Sequence, residues 1–497
     1  MSAQPVVPLT TWAPDLVPST PGILVECSDV IPTHRGFCNA PTPIAVSGLD
    51  ALPDSTANAA ALVTKLDGAR RLFVGLDTKL VEQTGAGWSD VSKAGGYASN
   101  PDGRWQFSQF GNSTLATNGV DPIQISSVGA FASISGAPKA KIIEAAAGFT
   151  MAAATNDTTY GDSPDRWWCS ALFDPTSWTP SVSTQCATGR LVDTPGPIVA
   201  VKKLGNDLVA YKETSIYLGR YVGAPAVWSW QLVADNVGAV GAGAVVNLGS
   251  AHIFVGKDDI WYFDGSRPVS LNAPCRYWFF ERSDTAQRFR MISMFNRFAD
   301  RVWFYFVPEG SATSKPTRAL VYHVKRQAWG LATDTLAGGV GAVLEYVSPA
   351  TTYGDVGTAY LPTATFDGGI PRTFDSPVWF AAKQIPAIVQ GDAIKTMTGP
   401  LAAPASMQFH DQGADDRMFL ARRCRPAWFK SPAAASAQIL YKMHSGDPWS
   451  IASGGALQDG KLDFLRRARW MAPAVTVTAG DFEVIGLQFE MDQMGIR

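Results

Sequence analysis

The sequence has few charged residues. Asp, Glu, Lys and Arg make up 17% of the 497 residues, and the formal net charge is −2, whereas an average soluble protein contains about 25% charged residues. A nearly neutral chain offers no electrostatic case for a dedicated nucleic-acid-binding protein, which is usually strongly basic. Low charge indicates either a surface covered by partner proteins, or a large core beneath a surface rich in Ser and Thr.

Cysteine and histidine are also scarce. The six cysteines include no C-x-x-C pair, so the sequence predicts neither a zinc site nor a dithiol redox site. Cys27 and Cys38 lie near enough in sequence to pair, but cysteine this sparse is typical of reduced thiols in a protein folded in a cytoplasmic compartment. The five histidines show no metal-binding spacing. We therefore expect no metal and no cofactor.

Long apolar runs and enzyme motifs are missing as well. The most apolar stretch, 237–249, is interrupted by glycines and Asn247, so no membrane-spanning segment is predicted. The N-terminus has neither the basic region nor the apolar region of a signal peptide. The sequence contains no G-x-S-x-G nucleophile elbow, no dinucleotide-binding fingerprint and no phosphate-binding loop.

A recurring hairpin pattern is present instead. Its clearest copies lie in 205–271, where LVAY and IYLGRY flank the turn KETS, and HIFVG and IWYF flank KDD. β-Branched and aromatic residues dominate the arms, as in sheet strands. Six such units begin near residues 70, 104, 148, 206, 250 and 301. Propeller blades repeat at about 40–50 residues. The pattern predicts an all-β protein with an irregular, about six-bladed β-propeller-like platform, the alternative being another large antiparallel fold.

Composition divides the chain into four segments. Residues 1–50 are rich in proline and predict an extended arm with one strand within 22–38. The platform spans 51–331, with short helices expected over 51–66 and 274–290. A Gly/Thr/Pro-rich connector spans 332–372. Residues 373–497 predict an additional C-terminal β domain, which either stands alone or lends strands to the platform.

Two basic clusters in the C-terminal segment are candidate contact sites. They are Arg422, Arg423, Arg425 and Lys430, and Arg466, Arg467 and Arg469. Such clusters are able to meet a phosphate backbone or an acidic neighbour. The alternative is a charged strand edge that discourages unwanted pairing.

Two acidic loops are candidate calcium sites. The loop 156–165 contains Asp157, Asp162 and Asp165, and the loop 411–416 is DQGADD. Carboxylates are ligands that Ca²⁺ prefers, but neither loop has EF-hand spacing. Solvated loops are the alternative.

Several segments, taken in order, are similar to the tail hub or nozzle proteins of short-tailed bacteriophages, also called head-completion or packaged-DNA stabilisation proteins. The similarity spans roughly 12–331, and the Arg-rich and Trp-rich C-terminal strands resemble the family only loosely. The matching segments are WAPDLVPSTPGILVECSDVIPT (12–33), QFGNSTLATNGVDPIQ (109–124), SALFDPTSWTPS (170–181), KETSIYLGRYVGAP (212–225), NVGAVGAGAVVNLGSAHIFVGKDDIWYFDGSRPV (236–269) and RYWFF (276–280).

The resemblance implies a structural virion protein and no enzyme. It implies a homohexameric ring beneath the portal and an adaptor ring, enclosing the channel through which double-stranded DNA leaves without sequence-specific contacts. It also implies retention of packaged DNA, attachment of tailspikes, fibres or a needle, assembly in the host cytoplasm, and a final place in the virion tail. A ring repeats one heterologous interface, which accounts for low surface charge.

Two other functions remain open from the sequence. A β-propeller glycosidase acting on host surface polysaccharide would need paired carboxylates brought together by the fold. The turns do not repeat the Ser-x-Asp-x-Gly-x-x-Trp pattern expected of sialidase-like propellers. A receptor-binding tail protein would be expected to form trimers with fibrous repeats, and no such repeat occurs here.

Overall fold

The computed structural model describes residues 5–347 and 384–494. Its N-terminal segment forms six short strands. These strands are β1 (Val7–Pro8), β2 (Thr11–Trp12), β3 (Ile23–Ser28), β4 (Val30–Pro32), β5 (Phe37–Asn39) and β6 (Thr42–Ala45). All six pair with other parts of the same chain, and Leu9, Trp12 and Ala13 are buried. The predicted extended arm therefore packs against its own chain, and three strands occupy 22–38 in place of one.

Three four-stranded antiparallel sheets follow, each made of consecutive strands. The first contains β7 (Ala59–Thr64), β8 (Arg70–Gly75), β9 (Leu80–Thr84) and β10 (Gly87–Asp90). The second contains β11 (Gln106–Phe110), β12 (Ser113–Thr117), β13 (Gln124–Ser126) and β14 (Ala132–Ser133). The third contains β15 (Lys139–Ala146), β16 (Phe149–Asp157), β17 (Gly161–Cys169) and β18 (Ala187–Arg190).

Three more sets of four consecutive strands complete the predicted repeats. The fourth contains β19 (Ile198–Leu204), β20 (Asp207–Lys212), β21 (Ile216–Gly223) and β22 (Val227–Ala234). The fifth contains β23 (Val245–Asn247), β24 (His252–Val255), β25 (Ile260–Phe263) and β26 (Val269–Ser270). The sixth contains β27 (Ile292–Asn296), β28 (Arg301–Phe306), β29 (Arg318–His323) and β30 (Ala328–Ala332).

These six sets are propeller blades. A seventh sheet is made of β31 (Ala342–Val347), β32 (Gln384–Gln390), β33 (Ala393–Gly399) and the N-terminal β6. The first strand of each sheet contacts that of the next, and β31 contacts β7, so the sheets close into a ring. Radial packing of this kind leaves only short strand edges. The all-β propeller prediction is confirmed, and its six repeats are the six consecutive blades. The closing sheet combines β6, which precedes the blades in the sequence, with β31, β32 and β33, which follow them.

Helical structure is confined to short segments in the part of the chain that the structure describes. The α-helix α1 spans Arg276–Arg282, and 3₁₀ turns span Ala242–Ala244, Thr285–Arg290 and Asp334–Leu336. The helix predicted over 51–66 is wrong, because β7 occupies Ala59–Thr64 and pairs with β8. Alanine has the highest intrinsic helix propensity, but tertiary context routinely overrides such propensities, and pairing within the blade prevails here.

The remaining strands form a second β unit. They are β34 (Ala405–Phe409), β35 (Gln412–Gly413), β36 (Met418–Lys430), β37 (Ala434–Lys442), β38 (Ser450–Ala456), β39 (Leu462–Ala468), β40 (Trp470–Ala479) and β41 (Glu483–Met494). One seven-stranded sheet has the order β2-β3-β34-β40-β37-β38, with β35 also on β40. A ten-stranded sheet has the order β27-β28-β29-β30-β4-β5-β41-β36-β39, with β1 also on β41.

The ten-stranded sheet joins the propeller to this second unit. Its first four strands are the sixth blade, and β30 meets β4 through the pair Leu331 and Val30. One buried apolar cluster runs from Phe304 in the blade through Trp12 to Phe464 in the C-terminal strands. The C-terminal β domain is therefore built partly from N-terminal strands, and it shares both a sheet and a core with the platform.

The predicted segment boundaries differ from this arrangement. The connector predicted over 332–372 includes β31, and its residues 348–372 lie outside the described residues. From the predicted C-terminal segment, β32 and β33 belong to the seventh sheet. Composition did not identify these divisions, because the strands that share a sheet come from opposite ends of the chain.

Candidate functional site

The basic clusters predicted from the sequence lie on two neighbouring strands, β36 and β39, where Ala421 is opposite Arg466, except that Arg469 follows the end of β39. Each basic residue of the first cluster is close to a carboxylate. The pairs are Arg422 with Asp492, Arg423 with Asp463 (3.0 Å) and Glu490 (3.6 Å), Arg425 with Glu490 (3.2 Å), and Lys430 with Asp481 (3.2 Å). Since β36 is an interior strand of its sheet, this cluster covers a sheet face and not a strand edge.

The second cluster is more varied. The Arg466 guanidinium stacks over the Tyr441 ring at 3.7 Å. Arg469 lies 3.3 Å from Nδ1 of His444, and Arg467 is exposed. Carboxylates of neighbouring strands therefore neutralise the first cluster, whereas Arg466, Arg467 and Arg469 form no ion pair within the described residues. The first cluster has little unpaired positive charge for phosphates, and the second keeps its positive charge.

The carboxylates of the two acidic loops mainly bond to their own surroundings. Asp157 accepts hydrogen bonds from the backbone N–H groups of Thr159 and Tyr160, and Asp165 forms a bidentate ion pair with Arg190. The bond from Arg190 is the main cause that lowers the pKa of Asp165. In 411–416, Asp415 accepts hydrogen bonds from Ser445 and Trp470.

The structure brings no metal-binding cluster together at these loops. Within residues 5–347 and 384–494, no group of three or more His, Cys, Asp or Glu residues could hold a metal ion. The six cysteines are free thiols, including Cys27 and Cys38. No described helix is long and apolar enough to cross a membrane.

A buried carboxylate that the sequence analysis missed fastens the N-terminal strands to the ring. Asp29 is fully buried and sits in the left-handed region with a φ of 53°. Its carboxylate accepts hydrogen bonds from the backbone N–H groups of Thr333, Asp334 and Thr335 and from both threonine hydroxyls. These donors begin the 3₁₀ turn between the sixth blade and the seventh sheet. Only the tertiary fold places residue 29 beside residue 333.

Two further contacts hold the same segment. Asp15 accepts from the backbone N–H groups of Tyr277 and Trp278 at 2.7 and 3.0 Å, and so caps the first turn of α1. Arg326 donates to the backbone carbonyls of Leu9 and Gly36. The N-terminal segment is therefore fixed to three separate parts of the chain.

Buried polar groups fasten the blades to one another. His252 of the fifth sheet is fully buried, its Nδ1 is 2.8 Å from the hydroxyl of Tyr211, and its Nε2 is 3.0 Å from the carbonyl of Lys203. Burial lowers the pKa of His252 to about 4, so the ring is neutral near pH 7. Within the fourth sheet, the buried Lys212 donates to the carbonyls of Leu191 and Thr194, both at 2.6 Å.

A cavity lies on the axis of the propeller. Its volume is 540 Å³, and strands of six of the seven sheets line it, together with residues 240–243 before the fifth sheet. Small apolar side chains dominate its wall, including Ala59, Ile198, Val199 and Val343. Ligand pockets generally have volumes of about 300–1,000 Å³ with mostly apolar walls, so this cavity has the size of a small-molecule site.

The cavity lining also carries charged side chains, three basic (Arg104, Lys141 and Lys202) and three acidic (Asp102, Glu144 and Glu213). Arg104 lines it and donates to the carbonyl of Gly341 at 2.6 Å. Burial and the neighbouring Arg290 lower the pKa of Arg104 to about 10. Glu144, from β15, also lines the cavity, and burial raises the pKa of its carboxyl against the opposing effect of Lys202. No sequence motif marks this site, because its residues come from separate blades.

Comparison with known proteins finds no family model that matches this chain and no curated protein that matches it. Solved structures share limited similarity. YCF48 bound to D1 peptide is 13% identical, with a TM-score of 0.37, over 70% of this chain and 94% of that one. Virginiamycin B lyase from Staphylococcus aureus is 9% identical, with a TM-score of 0.38, over 60% and 92%. YCF48 from Cyanidioschyzon merolae is 9% identical, with a TM-score of 0.34, over 69% and 96%.

Proposed function

We propose that this chain is a structural protein of the bacteriophage tail, the hub or nozzle subunit. Six copies would form a ring below the portal and the adaptor, enclose the channel through which DNA leaves, and retain the packaged DNA. The basis for the assignment is the ordered series of segments between residues 12 and 331 that resembles this family.

The observation that carries the proposal is the ten-stranded sheet joining propeller and C-terminal strands. A closed ring uses two different faces of each subunit, and it closes only if the angle between those faces is fixed. A hinge between two separate domains would leave that angle free. A shared sheet and a shared core make the chain one body, and this suits a ring subunit.

The neutralised arginines of β36 also support the proposal. Each phosphate that a protein neutralises adds salt-dependent affinity, which would hinder DNA that has to pass. A conduit therefore favours paired arginines, such as Arg423 and Arg425 beside Glu490. The passage would lie between the copies, because a DNA duplex is too large for the cavity on the propeller axis. That cavity has a volume of 540 Å³, whereas the major groove of a duplex alone is about 12 Å wide.

The proposed partners are further copies of the chain, the adaptor ring, and tailspike, fibre or needle proteins, with assembly in the host cytoplasm and a final location in the virion tail.

Assembly tests the proposal. The purified chain is mixed with its phage's adaptor–portal complex, and the product is measured by native mass spectrometry and class averaging of negatively stained particles. We expect six copies per complex and a ring with a central opening. Three copies would favour the receptor-binding alternative. Release of sugars from host polysaccharide by the chain alone would favour the glycosidase.

A further inference from the structure

We propose that the cavity on the propeller axis binds a small anionic amphiphile, with a carboxylate or similar head at Arg104 and Lys141 and an apolar body against the inner strands. This site is separate from the proposed ring and does not depend on its assembly. Both basic residues line the cavity.

The cavity wall suits an apolar body. Ala59, Ile142, Ile198, Val199 and Val343 line it from the first, third, fourth and seventh sheets. Transfer of apolar surface from water into such a cavity contributes about 25 cal/mol per Å². A flexible chain or a ring system of modest size would fill the available 540 Å³.

The charges around Arg104 suit an anionic head. Arg104 lies near Arg290, which pairs with Asp102 at 2.6 Å. Burial lowers the pKa of Lys315, and the nearby Arg104 lowers it further. The Lys315 ammonium donates to the carbonyl of Ser55. Arg104, Arg290 and Lys315 together raise the local positive potential. Asp102 neutralises only Arg290 among them, because its carboxylate pairs with that residue.

Arg104 itself has donors to spare. A guanidinium carries five N–H donors in a planar fork, and the hydrogen bond described for Arg104 is to the carbonyl of Gly341. Lys141 is exposed and lies on β15. A carboxylate is the group that an arginine fork binds best, by two parallel hydrogen bonds.

Opposite charges in the lining set the polarity of the site. Glu144 is near Lys202, and burial raises the pKa of its carboxyl. Glu213 is exposed. A ligand head placed at Arg104 and Lys141 meets positive charge, and Asp102, the lining carboxylate nearest Arg104 in sequence, is already paired with Arg290.

The test uses the full chain and the fluorescent anion 1-anilinonaphthalene-8-sulfonate as probe. Octanoate is added as competitor, and 1-octanol at the same concentration serves as its uncharged match. The variants are Arg104→Gln, Lys141→Gln and, as control, Arg267→Gln, which changes an exposed arginine outside the cavity lining. Circular dichroism and thermal unfolding confirm that each variant folds.

We expect saturable probe binding that octanoate displaces and octanol does not. Arg104→Gln should weaken binding about tenfold, Lys141→Gln about threefold, and Arg267→Gln not at all. If Arg104→Gln does not fold, Lys141→Gln decides the question. The proposal is overturned if binding does not saturate, if octanol displaces the probe as well as octanoate does, or if the folded cavity variants bind like the wild type.

Discussion

Replacing Asp29 by asparagine should loosen the contact between the N-terminal strands and the ring. Asparagine has nearly the same shape and tolerates the left-handed backbone of residue 29 (φ 53°). The substitution therefore removes the charge and one acceptor without adding backbone strain. The amide N–H₂ would face the backbone donors of Thr333, Asp334 and Thr335.

The magnitude follows from the number of donors. A hydrogen bond to a charged group contributes about 1.5–3 kcal/mol and a neutral one about 0.5–1.5. Weakening three backbone hydrogen bonds by roughly 1 kcal/mol each gives a loss of about 3 kcal/mol in the free energy of unfolding. Unfolding entropy is about 2.1 cal/mol/K per residue, so the melting temperature should fall by about 3 °C if the whole chain unfolds together.

The assay combines thermal unfolding with hydrogen exchange. Asp264→Asn is the matched control, because Asp264 accepts similar local hydrogen bonds from Ser266 but is exposed. We expect the control to shift melting by less than about 1 °C. In Asp29→Asn, the amides of Thr333–Thr335 should exchange faster. Unchanged melting together with unchanged exchange at these amides would refute the role given to Asp29.

Three further predictions concern other buried or charged groups. Because burial lowers the pKa of His252 to about 4 from 6.5, the unfolded chain takes up the proton first. The contribution of neutral His252 to the free energy of unfolding is complete above about pH 6.5 and falls toward pH 4. The loss is about 2 kcal/mol at pH 5. Urea unfolding at pH 7.5 and 5 should show a smaller loss in His252→Gln, and an equal loss would contradict this. Lys212→Met should cost about 2–4 kcal/mol, since it leaves two buried carbonyls without their donor; chemical unfolding measures this, and a change below 1 kcal/mol would contradict it. Arg425→Ala should change stability by less than about 1 kcal/mol, because its pair with Glu490 is partly exposed. In fluorescence anisotropy at 0.15 M salt, that variant and the wild type should bind duplex DNA equally weakly, and a clear loss in the variant would show that the arginine contacts phosphates.

The repeating part of the fold was predictable because its signal is local. Each blade consists of consecutive strands, so the apolar arms and polar turns appear in order, as in LVAY-KETS-IYLGRY for β20 and β21. The closing sheet was not predictable in this way. Its strands β6 and β33 are distant in sequence, and no local pattern records that Thr396 lies opposite Ile44.

The prediction of candidate sites was limited in the same way, because it did not include contacts between distant parts of the chain. The arginines at 422, 423 and 425 were identifiable, but their neutralisation depends on Asp463, Glu490 and Asp492 in other strands. Charge along a single strand therefore overstated the free positive charge of the folded surface. Arg104 drew no attention in the sequence, since its setting depends on blades that meet only around the propeller axis.

The location of the chain in the particle tests the central claim most directly. Gold-labelled antibody against this chain is applied to negatively stained phage particles that contain it, with particles lacking the chain as control. The hub proposal predicts label at the tail, directly below the portal vertex. Label at fibre tips, over the whole capsid, or on nothing particulate would contradict it.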